Sequence, residues 1–281
     1  LEFPTASPTP PTPSLPSATM FPTTSGLGCN GLEQLCDVRV NELLFATVHN
    51  AASTRQDGTV LLPNHEKSLE LALQAGYRGI NVDIGICDGE IRLVHGVCGA
   101  TRDLVTTFRN IANFLESRPN DVLLMPTQID ENTGGTVTLA EIDALITEQV
   151  PEFTSLMYNH DPDLLLWPTL AELIDVDKRI LFFHYNGERC VGENATDCPE
   201  GFNDWFQYAA ESAFSFSSTD VIADKNASCS ITRGGDGRKD FYGVNVFTEI
   251  PSDESCSVLN DRAILEEHIS ACADFTNQSV K

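Results

Sequence analysis

The chain reads as an α/β protein, a parallel sheet closed into a TIM-type (β/α) barrel, and three observations predict it. Strand-like apolar runs alternate with helix-like amphipathic ones over about 250 residues, the pattern of repeated βα units. His49, Asp83 and His95 stand at or near the C-terminal ends of such runs, the end at which parallel barrels carry their chemistry. No GxGxxG follows a strand and no GxxxxGK[ST] occurs, so a nucleotide-binding sheet has little support.

Residues 1–28 are mostly Pro, Ser and Thr, a composition that cannot bury enough apolar surface to fold. They are expected to form a disordered stalk or linker, with residues 29–281 as one domain. In that domain Leu43–Val48 is a strand, and Ser68–Ala75 is a helix stopped by Gly76. Gly79–Ile84 is the next strand, and Cys87-Asp88-Gly89-Glu90 is a tight hairpin turn, since Asp-Gly tolerates the positive φ such turns require. Leu104–Ser117 has helical apolar spacing and ends at Arg118-Pro119. Val122–Met125 and Arg179–Phe183 are strands, Leu139–Val150 and Leu170–Ile174 helices, and Phe241–Phe247 is strand-like. Asn260–Ala273 is read as a helix with Asn260 at its N-cap. Because the sequence stops at Lys281 soon afterwards, the barrel is expected to lack its last strand.

Forty-one acidic residues against 17 basic ones give a formal charge of −24. Such a surface repels nucleic-acid phosphates and anionic lipid headgroups, which excludes a nucleic-acid partner and leaves at most peripheral membrane contact. No apolar stretch is long enough for a transmembrane segment. Nine cysteines, none in a CxxC zinc pattern, and three sequons (Asn194-Ala195-Thr196, Asn226-Ala227-Ser228, Asn277-Gln278-Ser279) indicate a secreted, extracellular or cell-surface glycoprotein. Cys29–Cys36 and Cys87–Cys98 are expected to pair, each closing a short loop, and one cysteine is left over.

The candidate site gathers the polar residues at the strand ends. His49 and Asn50 follow the first strand, Asp83 ends the second, His95 follows the hairpin, Gln128 follows Val122–Thr127, and His184 follows Ile180–Phe183. A lone histidine in such a place is usually a hydrogen-bonded core or rim residue. A pair on one rim with an aspartate between them suits phosphodiester cleavage, which needs an acid and a base for the leaving and attacking oxygens. His65, His160 and His268 are read as surface residues, and Asn64, Tyr185 and Trp167 as loop and packing residues.

Several segments together resemble the phosphatidylinositol-specific phospholipase C X-domain group of the PLC-like phosphodiesterase superfamily, in its secreted, cysteine-containing branch. They are Cys29-Asn30-Gly31 with Leu35-Cys36-Asp37, Ala46–Ala51, Gly76–Asp83, His95–Cys98, Arg118–Val122 and Trp167–Leu170, with weaker echoes at Cys229, Arg233-Gly234 and Gly243–Phe247. The resemblance implies a TIM-type barrel that cleaves a phosphodiester by attack of a neighbouring hydroxyl, with His49, His95 and Asp83 catalytic. The implied substrate is a phosphatidylinositol-type lipid head group or a small phosphodiester. Asn50, Arg78, Gln128 and His184 are the expected substrate or phosphate contacts.

The sequence also departs from that group. Calcium-dependent relatives use an Asn, a Glu-x-Asp and a later Glu; here Asn50 and Asp83 match, while Asn81 and Gln128 stand where carboxylates are expected. A Ca²⁺ site made of Asn50, Asn81, Asp83 and Gln128 has one charge and is expected to be weak. Metal-independent relatives use an arginine, for which Arg78 and Arg102 are the nearest candidates. The rival reading is an inactive secreted barrel serving as a binding or adhesion module, which the stalk and missing carboxylates favour and the two histidines oppose.

Overall fold

The computed structural model describes residues 28–59, 63–98, 102–131, 133–185, 190, 198–235, 239–250 and 252–276. The stalk expected at residues 1–28 lies outside these but for Gly28, as do the sequons at Asn194 and Asn277.

The core is a mostly parallel sheet. β1 (Thr47–Val48) pairs with β2 (Gly79–Ile80), and β2 and β3 (Val82–Cys87) both pair with one edge of the central β5 (Leu123–Ile129). β6 (Ile180–Tyr185) pairs with the other edge of β5, and β7 (Asn203–Asp204) with β6. All these ladders are parallel; only the hairpin partner β4 (Glu90–Val94) runs antiparallel to β3. A second parallel pair, β8 (Ala209–Glu211) with β9 (Phe241–Gly243), forms its own sheet. Among the described residues no ladder joins β7 to β8 or β9 to β1.

The helices α1 (Leu69–Ala75), α2 (Leu104–Ser117), α3 (Leu139–Gln149) and α4 (Pro151–Ser155) cover one face of the sheet. Leu104, Phe108, Ile111 and Leu115 of α2 recur at helical spacing and are all fully buried. Each such side chain contributes about 1.5–3 kcal/mol on leaving water. The strands alternate faces: Ile180 and Phe182 meet the helices, while Leu181, Phe183 and Tyr185 pack on the opposite face with Trp167 and with α5 (Leu170–Asp175). The chain then continues through the short helices α6 (Trp205–Tyr208), α7 (Thr219–Ala223) and α8 (Lys225–Ser228) to α9 (Asp253–Leu259) and α10 (Arg262–Thr276). No strand follows α10 among the described residues.

Local chemistry explains the boundaries. Ser68 caps α1 through Leu71 N, and Gly76 closes it at φ 106°. Asp88 and Gly89 both adopt positive φ, 54° and 79°, and turn β3 directly into β4. The run expected as one strand over Gly79–Ile84 is broken at Asn81. The first strand, expected over Leu43–Val48, shrinks to two residues: a 3₁₀ turn at Val40–Glu42 precedes it and residues 43–46 are irregular. Asn260 closes α9, and the cap of α10 is Asp261, whose carboxylate accepts from Ala263 N and Ile264 N.

Four disulfides are present. Cys29–Cys36 and Cys87–Cys98 are the expected ones; Cys190–Cys198 and Cys229–Cys272 complete the set, and Cys256 is a free, exposed thiol. Bridges of this kind typically contribute about 2–4 kcal/mol each.

Candidate active site

His49 leaves β1 and His95 leaves β4, and the two imidazoles come close enough for His95 to depress the basicity of His49. Burial is the larger cause: the His49 ring stacks on Phe247 at 4.3 Å and meets the edge of Phe214 at 5.9 Å. Together with the charge of nearby His65, these bring its pKa to about 4. At neutral pH His49 is therefore an uncharged imidazole, below the range an unperturbed histidine would show.

One turn links the two histidines. Asn50 follows His49 with φ 49°, its N–H donates to Asn81 Oδ1 at 2.9 Å, and its carbonyl accepts from Ser53 N at 2.8 Å. Ser53 Oγ lies 3.2 Å from His95 Nδ1. From outside the turn, His65 Nε2 donates to the His49 carbonyl at 2.6 Å. His65, expected on the surface, thus supports the site.

Asp83, Gln128 and Tyr185 occupy one row across β3, β5 and β6. Burial, and secondarily the carboxylate of Asp130, push the Asp83 pKa up to about 7. Tyr185 Oη accepts from Asn81 Nδ2 at 3.0 Å, and its phenol is raised by burial and by Asp83.

The structure adds a cation that the sequence reading leaves unassigned. Arg233 donates to Glu211 Oε2 at 2.6 Å, and its guanidinium lies over Phe206 (5.0 Å), Phe214 (5.5 Å) and Tyr185 (5.7 Å). Glu211, the last residue of β8, also accepts from Trp205 Nε1 at 2.5 Å. Burial raises its pKa against the pull of Arg233. Phe214 thus meets both His49 and Arg233.

Two expected contacts, Arg78 and His184, and the other candidate arginine, Arg102, are not brought to the histidines. Arg78 stands before the first residue of β2, at the opposite end of the sheet, where its guanidinium pairs with Asp121 at 2.7 Å and bonds the carbonyls of Leu73 and Tyr77. Arg102 is held by Asp57 and Glu70. His184 is 1% exposed on the helix-facing side of β6, with Nε2 3.1 Å from Cys190 Sγ. His160 and His268 are not surface residues either: His160 is buried, stacked on Trp167 at 3.7 Å, and His268 is buried against Lys225 at 2.8 Å.

Among the described residues two groups have ligand atoms close enough together to hold a metal ion, His184 with Cys190 and Cys198, and His268 with Cys229 and Cys272. In both, the cysteines are joined as a disulfide and carry no thiolate. Neither group has the oxygen donors calcium takes.

The mostly parallel α/β sheet is of the PLC-like phosphodiesterase class. The chain belongs to the PI-PLC X family, whose PI-PLC X 1 model matches residues 35–260. It is 27% identical over 275 residues to a PI-PLC X domain-containing protein 1 of Arthroderma benhamiae, covering 92% of this chain and 82% of that one. An uncharacterized secreted protein of the same organism is 26% identical over 226 residues, 77% of this chain and 47% of that one. Among solved structures the fold resembles the phosphatidylinositol-specific phospholipase C of Listeria monocytogenes, with TM-score 0.59, 15% identity, and 85% and 86% of the two chains covered. A structure of the Staphylococcus aureus phosphatidylinositol-specific phospholipase C gives TM-score 0.55, 16% identity, and 83% coverage of both chains.

Proposed function

We propose that this chain is a secreted phosphodiesterase that cleaves a phosphodiester beside a free hydroxyl, on a phosphatidylinositol-type or related head group. The observation that carries the reading is the pairing of His49 and His95 across one short turn, in a chain of the PI-PLC X family. Four disulfides, the lack of any helix long and apolar enough to cross a membrane among the described residues, and a relative named as secreted support the extracellular assignment.

His49, uncharged at neutral pH, takes the proton of the attacking hydroxyl as its oxygen bonds to phosphorus. The bond from phosphorus to the leaving oxygen breaks, and His95 supplies that oxygen with a proton. The products are a cyclic phosphodiester and an alcohol. To act as the acid His95 carries both ring protons: Nδ1–H donates to Ser53 Oγ and stays with the ring, and the Nε2 proton is the one passed to the leaving oxygen, which returns the imidazole to its neutral form. Asp83 orients the attacking hydroxyl. Arg233, beyond Phe214, supplies fixed positive charge on the head-group side, where a preorganised donor stabilises developing negative charge.

Calcium is a hard cation that takes oxygen ligands. Asp83 and Gln128, adjacent in register, would hold such an ion with the neighbouring Asp130, and the ion would neutralise charge on the phosphate. The test is ³¹P NMR of a diester panel incubated with the protein, with calcium and with chelator. A cyclic phosphate product supports the reading. Absence of turnover on every diester moves the chain to the binding-module reading.

A further inference from the structure

Asn81 sits where the sequence suggests a metal ligand, and its bonds say something different. It interrupts the strand between β2 and β3 and is buried. Its main chain ties it to the end of β1 and the turn after it, N–H to the Val48 carbonyl at 3.0 Å and carbonyl to Ala51 N at 2.8 Å. Its side chain adds three more bonds. Oδ1 accepts from Asn50 N at 2.9 Å, and Nδ2 donates to the Pro126 carbonyl at 2.9 Å and to Tyr185 Oη at 3.0 Å. One planar group therefore fastens the His49 turn to β5 and β6 together.

We propose that Asn81 is a positioning residue whose side-chain amide holds the Asn50–Ser53 turn, and through that turn sets His49 against His95. The inference rests on the reading of the two histidines as the acting pair. The group must be an amide. It accepts one hydrogen bond and donates two, and an ionised aspartate of the same shape has no N–H to give. That carboxylate would instead face the Pro126 carbonyl oxygen, which costs free energy in a buried place. Asn50 holds a left-handed backbone at φ 49°, tolerated by asparagine but not preferred, so the turn depends on its outside partners. Asn81 Oδ1 is one of those partners, and Ser53, three residues on, carries the contact to His95. The oxygen that a metal would need is thus already engaged in holding the turn.

The test uses the full chain and two variants, Asn81→Asp and Asn81→Ala, with folding checked by thermal melting and intact disulfides. With a cyclisable phosphodiester, Asn81→Asp is expected to lose about 10²-fold in kcat with KM changed less than about threefold, the effect of misplaced groups rather than lost binding. Calcium is not expected to restore it, and calorimetry should show no gain in calcium affinity. Amide hydrogen exchange gives a readout that needs no turnover. The Asn50 N–H should be protected in the wild-type protein and lose at least about tenfold of that protection in Asn81→Ala, while the Ala51 N–H, bonded to the Asn81 main chain, keeps its own. A wild-type Asn50 amide that exchanges as freely as an open loop overturns the proposal. So does an Asn81→Asp variant that keeps full kcat or gains calcium binding. If no diester is turned over at all, the proposed function fails while the exchange experiment still decides the role of Asn81.

Discussion

Phe247 lies flat on His49, ring centroids 4.3 Å apart and planes 17° from parallel. The phenyl face removes water from one side of the imidazole and so adds to the burial that is the largest cause of its pKa falling to about 4. A base that stays unprotonated to low pH puts the acidic limb of the kcat/KM profile near pH 4. Phe247→Ala should move that limb up toward 6.5, the ordinary histidine value. A wild-type limb already between 6 and 7 would show that the stack does not govern the titration.

Asp83 and His49 should pull stability in opposite directions with pH. Asp83 is raised from 3.8 to about 7 on folding, so the folded state holds the extra proton and stability falls as pH rises through that interval. His49 is lowered from 6.5 to about 4, so the unfolded state holds the extra proton and stability rises over that interval. Each group changes stability by at most about 1.4 kcal/mol per pH unit within its window. The two nearly cancel in the wild-type protein. Asp83→Asn removes one of them, and urea unfolding of that variant should show stability climbing from pH 4.5 to 6.5. A wild-type-to-variant difference independent of pH would contradict the assignment of Asp83 as a buried, raised carboxyl.

Arg233 combines an ion pair with three aromatic faces, a geometry a lysine ammonium does not reproduce. Arg233→Lys should keep the charge opposite Glu211 and the fold, yet lose about 10–100-fold in kcat/KM, the range of one preorganised donor or less. Steady-state kinetics at matched thermal stability checks this. Wild-type kinetics in the lysine variant would remove Arg233 from the site.

Non-reducing peptide mapping should return Cys29–Cys36, Cys87–Cys98, Cys190–Cys198 and Cys229–Cys272. Native alkylation should consume one thiol, at Cys256. A different pairing at Cys87 or Cys98 would remove the staple that fixes the hairpin leading into His95.

Much of this is legible in the sequence, and the gaps have physical causes. Helix α2 is readable to the residue because its apolar spacing and its Asp103 and Arg118 boundaries agree. The hairpin follows from Asp88-Gly89, and both histidines from their place after apolar runs. β5 and β6 run further than the sequence suggests because Pro126, Gln128 and His184 look like stops, although the parallel ladder accommodates them. Tyr185 reads as a packing residue since nothing local shows where a phenol hydroxyl points. Glu211 carries the same signal as the histidines, a polar residue closing the apolar run Tyr208-Ala209-Ala210, but a short one. Arg233 has no local signal beyond Arg-Gly, and only its antiparallel bridge to Glu211 at the end of β8 brings it to the rim. Asn81 is visible, but its role is not, because its side-chain partners lie 31, 45 and 104 residues away.

The central claim is that His49 and His95 act together on one phosphate. The most direct measurement is turnover of a cyclisable phosphodiester by the wild-type protein, His49→Ala, His95→Ala and the double variant, at matched folding. Each single change should cost about 10²–10⁴-fold. The double change should cost far less than the product of the two, as groups acting as a unit do. Equal rates in wild type and His95→Ala, or losses that multiply in full, would contradict the account.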